Sequence, residues 1–580
     1  WGGGTPVACG HCLAVRWQRL RSRTEREALE TGVGCAGVAP WPVLTGYQLD
    51  AVWVLYAAAH RGGPPAPALP PAALPPAGLP PAGLPPAGLP QVSTVDLASL
   101  RVRTFPVLAD PRCPSCQQLT PDRPAGLDLA SQPKRHPTAY RRTGADEFDL
   151  PADALANPVC GALGAGTMLT LTSPTTAPVT GSVFIRGYAG LLDVAWSGQA
   201  NSFATSRSLA LLEGLERYAG THRRRPHTPV RGTYRELAGA ALDPTDCGLY
   251  EDHVYRDDPL ATPYDPDREM PWWWGFSLRD QRPILVAQRL CHYSSGGPGD
   301  GFAFATSSGC ATGGSLAEAV LFGLLELIER DAFLLGWYGG ARLTEIDLAS
   351  VGSGRIRAMA DRADLQGYQV HAFDNRIDLA VPVVTGLAVR RDGGPGTLCF
   401  AAGASLDPET AIEAALSEVL TYIPHLPRQV ARRRAELEAM ADDYGRIRQL
   451  ADHSALFGLP RMRPHARAYL RPGAVAGVGE VYPTRPPAST DLLDDLAYVQ
   501  GELTSAGHDV IVVDQTTPEQ RRLGLHTVAT IVPGLLPIDF GWARQRALRL
   551  PRLRTAFRRA GWRDTDLTDT ELHRVPHPFP

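Results

Sequence analysis

Gly323-Leu324-Leu325-Glu326-Leu327-Ile328-Glu329-Arg330-Asp331-Ala332 sets two glutamates and an arginine, followed by an aspartate, inside an otherwise oily run. The same Glu-x-x-Glu-Arg pattern stands earlier, at Leu211-Leu212-Glu213-Gly214-Leu215-Glu216-Arg217-Tyr218. Carboxylates three residues apart lie on one helical face, with the arginine four beyond the first. On an exposed helix such a pair contributes only a few tenths of a kcal/mol and is common. The flanks point elsewhere, because the spacing predicts a helix over 315–338 with apolar residues on most of its circumference, the mark of a buried helix. Buried carboxylates cost several kcal/mol each unless cations or donors compensate them. One arginine per two glutamates leaves excess negative charge, and a hard divalent cation carrying a polyphosphate complements it. Spacing alone leaves both readings open, surface ion pairs and a magnesium-nucleotide site.

The surrounding blocks narrow the choice. Thr306-Ser307-Ser308-Gly309-Cys310-Ala311-Thr312-Gly313-Gly314 opens the second helix, and Glu318-Ala319 follows. This resembles the YcaO family, whose members use ATP to activate the oxygen of a peptide amide. Three further stretches fit the family in the same order: Ser206-Arg207 through Glu213 and Glu216-Arg217, Ala401 to Glu418, and Val513-Asp514-Gln515-Thr516 followed by Val532-Pro533-Gly534. The resemblance covers roughly residues 140 to 580.

The last residues are Pro576-His577-Pro578-Phe579-Pro580. Alternating prolines hold an extended, polyproline-like conformation with few donors, and a frayed end is the plain expectation for a terminus. Within the resembled family such a Pro-x-Pro-x-Pro tail marks the azoline-forming cyclodehydratases, where it reaches toward the active site. The resemblance therefore implies catalysis of a definite kind. A Cys, Ser or Thr side chain of a ribosomally made precursor peptide attacks the preceding carbonyl, ATP phosphorylates the resulting oxygen, and phosphate leaves to give a thiazoline or oxazoline. It assigns magnesium coordination to Glu213, Glu216, Glu318, Glu326 and Glu329, and ATP binding to Ser307, Ser308, Arg217, Arg330 and Glu418. Pro576, Pro578 and Pro580 organise the site. The chain departs from the family pattern at Leu209, where Ser is frequent, at Ser308, where Asn is frequent, and at Ala414, where Arg is frequent. These departures touch phosphate and nucleotide contacts rather than the magnesium carboxylates.

Composition bounds the alternatives. At 580 residues the chain can hold two or more domains. Its 57 basic and 60 acidic residues nearly cancel, so no strong field favours nucleic acid or an anionic membrane. No run of eighteen apolar residues predicts a spanning helix, no signal peptide is visible, and the expected location is cytoplasmic. The first residue is Trp1 rather than Met, so upstream sequence is expected. Lys134 is the only lysine, which excludes a Walker-type loop and disfavours Schiff-base chemistry. Phosphate must here be met by arginine, metal and backbone amides.

Cys9-Gly10-His11-Cys12 and Cys113-Pro114-Ser115-Cys116 are two Cys-x-x-Cys knuckles. Two such halves make a closed structural zinc site of Cys9, Cys12, Cys113 and Cys116. Disulfides are the alternative, disfavoured by the lack of any export signal. Cys35, Cys160, Cys247, Cys291 and Cys399 read as core thiols, and Cys310 as a small apolar filler. Residues 64–90 repeat Leu-Pro-Pro-Ala-Gly at Leu74, Leu79 and Leu84, a semi-rigid spacer inserted into the zinc region.

The fold class expected is α+β (mixed α/β): a YcaO-type ATP-binding domain over 135–580, preceded by a small zinc-binding, peptide-docking region over 1–130. That region is similar to the distal part of the ubiquitin-activating-like domains that partner azoline enzymes. Helices are expected at Trp17–Leu29, Tyr47–Ala59, 206–220, 315–338, 409–423 and 489–507, with a solvated helix over Pro427–Leu450. Strands are expected at Val92–Leu108, Val179–Ala195, Pro283–His292, Val383–Val389 and Asp509–Asp514. The partners implied are the precursor peptide, a leader-peptide-binding protein, a dehydrogenase and, as one assembly, a homodimer. Three rival readings stand beside this one: a YcaO enzyme forming thioamides or amidines, a non-catalytic scaffold binding precursor peptide, and a zinc-dependent nucleic-acid binder.

Overall fold

A computed structural model describes residues 8–32, 44–60, 89–116, 119–188, 190–221, 227–297, 300–484 and 489–580. The Pro-rich repeat, apart from residues 89 and 90, and Cys35 lie outside them. The organising element is the helix Leu316–Tyr338, apolar on nearly every side and buried along most of its length. Ser315 caps it by accepting the Glu318 N–H at 3.2 Å. It lies between two sheets, against strands Cys310–Gly313 and His526–Ile531 on one side and Leu398–Ala404 on the other.

The first sheet runs in the order Arg282–Ala287, Met270–Ser277, Ile511–Asp514, His526–Ile531, Cys310–Gly313, each pair antiparallel. The second runs Leu398–Ala404, Val383–Arg390, Tyr368–Asp374, Thr344–Asp347, Ala474–Gly477, of which the last pair is parallel. A hairpin of Val179–Gly187 and Gly190–Gly198 leads into the other motif helix, Phe203–Thr221, which packs on that hairpin and on Cys310–Gly313. Both motif helices thus flank one edge strand. The helix Pro408–Tyr422, capped by Asp407 with Pro408 in its first turn, covers the second sheet.

The α+β class holds, with several local corrections. The single helix expected over Trp17–Leu29 is two, Gly10–Arg19 and Arg23–Thr31, because Ser22 and Glu25 form a capping box that starts a new helix. Val179–Ala195 is a hairpin rather than one strand. Val92–Leu108 likewise folds back on itself, pairing Gln91–Val95 with Val102–Pro106. Pro283–His292 leaves the sheet at Ala287 and ends in a helical turn, Gln288–Cys291. Pro427–Leu450 is two short helices, Leu426–Arg432 and Arg434–Asp442, that bury Val430, Leu437 and Met440. The terminus is not frayed, since Val575 to Pro580 are all buried. Among the described residues no helix is long and apolar enough to cross a membrane.

The N-terminal module is held together by buried charge. Arg16 donates from Nε to Leu108 O at 2.7 Å and also to Ala109 O, while Arg19 pairs with Asp110 at 2.8 Å. The Arg16 guanidinium lies 6.0 Å from the ring centroid of Tyr218, which follows Arg217 on the first motif helix. Lys134, sealed from solvent, pairs with Asp495 at 2.6 Å and so binds the entry segment of the larger domain to the helix Leu492–Ser505.

Candidate functional site

The two Glu-x-x-Glu-Arg motifs are built alike. Glu213 accepts from Arg217 at 2.8 Å and from the Ser197 backbone N–H at 2.8 Å. Glu326 accepts from Arg330 at 2.8 Å and from the Gly309 backbone N–H at 2.9 Å. In each half one carboxylate oxygen is clamped by the arginine one turn on, and the other by an amide from the chain that precedes the helix. The clamp at Gly309 needs glycine: its φ is +81°, and a Cβ would sit 2.3 Å from Thr530 O.

The second glutamate of each motif and Glu418 share the resulting cavity. Burial pushes the Glu216 carboxyl well above the usual carboxylate range, against the pull of Arg217, with Glu326 and Glu213 adding to the rise. Burial likewise raises Glu329 to about 8, with Glu418 and Glu326 contributing, and Glu418 to about 7, with Glu213 and Glu326 contributing. Such mutual influence requires proximity, so five carboxylates converge around two guanidiniums. The shared cavity is also felt by Cys310, Tyr293 and Tyr422, whose surroundings include these same charges.

Unmet polar atoms define what the cavity lacks. The Nε atoms of Arg217 and Arg330 are buried without a hydrogen-bond partner. So is the hydroxyl of Ser206, two turns before Glu213 on the same helical face. Orphaned cationic donors beside under-compensated carboxylates fit a ligand carrying both signs, anionic oxygens for the arginines and hard cations for the glutamates. Magnesium with a nucleotide polyphosphate has that composition.

Ser308 and Thr306 are hydrogen-bonded at 2.8 Å and line a cavity with Arg330, Leu536 and Ile538. Ser307 receives the Cys310 N–H on its carbonyl at 2.8 Å, fixing the turn before the edge strand. Glu318 is not part of the cluster. It lies eight residues before Glu326, about 12 Å along the helix, and binds Arg141 at 3.1 Å and the Arg142 N–H at 3.3 Å.

The tail reaches the same place from the opposite side. Arg330 lies 5.0 Å from the ring centroid of Phe579, which meets Phe333 edge-on at 4.9 Å. Arg330 therefore touches both the carboxylate cluster and the Pro-x-Pro-x-Pro segment. Trp337 holds that segment by donating to Val575 O at 2.9 Å.

Near the N-terminus, Cys9, Cys12, Cys113 and Cys116 bring their sulfurs within 4.8 Å of one another. Separations are 3.6 Å for Cys9–Cys113, 3.6 Å for Cys12–Cys116 and 3.9 Å for Cys9–Cys12. Four thiolates about 2.3 Å from a tetrahedral zinc stand about 3.8 Å apart, whereas a disulfide needs about 2.05 Å. The Asp110 N–H donates to Cys12 Sγ at 3.3 Å, a contact that steadies a thiolate ligand.

A family model described as YcaO cyclodehydratase, ATP- and Mg2+-binding, matches residues 197–536. The chain belongs to the YcaO family. Among solved structures, this YcaO protein is similar to a heterocyclase in complex with substrate and cofactor, with a TM-score of 0.75 and 23% identity over 99% of this chain and 75% of that one. The heterocyclase TruD gives a TM-score of 0.62 at 23% identity, over 99% of this chain and 72% of its own. An uncharacterized protein of Methanothermobacter thermautotrophicus is 25% identical over 348 residues, 59% of this chain and 81% of that protein. The two solved structures share the fold with this YcaO protein. Three contributors to its site carry no sequence expectation: the Ser197 amide, Tyr293, which donates to Arg217 O at 3.4 Å, and the Phe579 ring, while the Gly309 amide, a backbone donor expected to face phosphate, holds Glu326. The Ser197 amide carries no side-chain signal, and the tail stands out in the sequence by its prolines rather than by Phe579.

Proposed function

We propose that this YcaO protein catalyses ATP-dependent cyclodehydration of Cys, Ser or Thr residues in a precursor peptide, forming thiazolines or oxazolines. The observation that carries the reading is Arg330, which joins a five-carboxylate, two-arginine cluster to a buried Pro-x-Pro-x-Pro tail. Bound in that cluster, magnesium and ATP supply charge neutralisation and a phosphoryl group that turns an amide oxygen into a leaving group. Glu213, Glu216, Glu326, Glu329 and Glu418 hold the cations, and the free Nε–H donors of Arg217 and Arg330 pair with phosphate oxygens. Ser307 and Ser308 present the loop to the phosphates, and Pro576, Pro578 and Pro580 wall the site against water. Glu318, already satisfied by Arg141, keeps the helix N-terminus in place.

The four cysteines hold a structural zinc in a module that receives the precursor peptide, and none of the nine cysteines among the described residues forms a disulfide. A leader-binding protein and a dehydrogenase are the expected partners.

Mass spectrometry of a Cys-, Ser- and Thr-rich precursor peptide, with phosphate release followed in parallel, tests the reading. Loss of one water per modified residue, matched by phosphate, supports it. Glu326→Gln and Glu329→Gln are each expected to lower both signals by about 100-fold or more, the scale of several kcal/mol of lost charge stabilisation. Turnover that survives both substitutions sinks the site assignment. Intact peptide without phosphate, despite binding, moves the protein to the scaffold reading.

A further inference from the structure

The tail needs an anchor, because Pro576, Pro578 and Pro580 have no N–H and the segment cannot join a hydrogen-bonded ladder. Beyond Val575 its backbone is met by His453, on the helix Leu450–Leu456, whose Nδ1 lies 2.9 Å from His577 O. The other ring nitrogen fixes the tautomer. The Gly541 N–H donates to His453 Nε2 at 3.0 Å. Nε2 is therefore the lone-pair nitrogen, and the proton of the neutral ring sits on Nδ1, aimed at the His577 carbonyl.

The imidazoles of His453 and His577 also stack, with centroids 4.2 Å apart and planes 20° off parallel. His577 Nε2 lies 3.1 Å from Asp539 O, which accepts from it. Asp539 is itself locked by Arg546 at 2.8 Å, and Gln545 donates to the Asp539 and Gly541 carbonyls at 2.7 Å and 3.0 Å. The loop that receives the tail is thus braced before the tail arrives. His453 bridges that loop to a point two residues short of Phe579, the residue seated on Arg330.

We propose that His453 is a positioning residue that latches the tail into the site, through donation from its Nδ1–H to the His577 carbonyl. The proposal rests on the reading of the tail given above. It differs from a core-packing role in needing one polarity at one ring atom: a donor toward the tail.

Two substitutions in the full chain separate these roles. His453→Asn puts an amide nitrogen near the place of Nδ1 and gives up the acceptor for Gly541. His453→Gln puts an amide oxygen near the place of Nε2 and gives up the donor for His577. Hydrogen exchange of the segment 575–580 reads the latch directly, and azoline formation with phosphate release reads its consequence. The Asn variant is expected to keep the tail protected and to stay within about threefold of the parent. The Gln variant is expected to speed tail exchange by about tenfold, the scale of one lost hydrogen bond. Its kcat for azoline formation should fall to a similar degree, with KM for ATP unchanged. Equal exchange in both variants, whether protected or loosened, overturns the latch. If the Gln variant fails to fold, a loosened tail in a folded Asn variant overturns it, and a protected one supports it. A chain lacking Phe579 and Pro580 tests the tail on its own. Azoline formation that survives that truncation removes the functional reading, while the exchange result still decides the anchor.

Discussion

At Gly309 one backbone amide does what no side chain in that place would permit. A methyl group there meets Thr530 O at 2.3 Å on a backbone with φ of +81°, and the bare N–H is what reaches Glu326. Gly309→Ala is therefore expected to cost about 1–3 kcal/mol of stability and to weaken magnesium-nucleotide binding as the Glu326 carboxylate loses its second clamp. Melting curves and a nucleotide titration measure the two losses. A variant that melts lower yet binds nucleotide unchanged would show that the amide serves the fold alone. Ser197 makes the matching bond to Glu213, and Gly198 beside it comes so near the helix that a Cβ would lie 2.1 Å from Ser206 O. Nothing in the sequence marks the Ser197 amide as part of a site, whereas the glycines after Ser308 mark Gly309 as a backbone donor, toward phosphate rather than toward Glu326. The glutamates were legible because a carboxylate in an oily helix has to be explained, and an N–H anywhere does not.

The helix Leu316–Tyr338 was legible for the same reason of contrast, apolar residues around the whole circumference broken by four acids and an arginine. Strands Leu398–Ala404, Met270–Ser277 and His526–Ile531 were not, because short strands largely covered on both faces lose the alternation that announces a strand. The first break near the N-terminus was missed because apolar periodicity runs through Ser22, and the capping box with Glu25 decides the matter instead. Convergence of Glu213, Glu326 and Glu418 could not be read at all from spacing, since it depends on both motif helices packing on Cys310–Gly313. The helix Gly10–Arg19 begins inside the first cysteine knuckle, so the cysteine cluster and the helix start are one structure. Purified protein is expected to contain about one zinc per chain. Chelation should open residues 8–32 and 91–116 to protease while the larger domain stays folded. Full zinc loss with an unchanged cleavage pattern would show that packing through Arg16 and Arg19, not metal, maintains that module.

Protons stored in the acidic cluster bear on the stability of the entire protein. In the unfolded chain Glu titrates near about 4.3, whereas Glu418 and Glu329 here titrate at about 7 and about 8. Between those limits the folded, metal-free state binds more protons than the unfolded state, so the stability they contribute is lost as pH rises through 7 and 8. His453, pulled to about 4 by burial, gives the opposite slope, confined to more acidic solution. The metal-free protein is thus expected to melt progressively lower from roughly pH 6.5 to 8.5. Glu329→Gln should flatten that slope and raise the melting temperature at the alkaline end. A slope that is absent without metal would mean that the carboxylates do not share the cavity in solution. Burial of the sole lysine has a different consequence. Of 57 cationic side chains one is an amine, and its ion pair with Asp495 holds it away from solvent. Among its cationic side chains the surface consequently offers electrophiles guanidinium groups rather than amines, and guanidiniums stay protonated and do not attack. A lysine introduced at any exposed position would therefore become a unique side-chain site for amine-directed labelling.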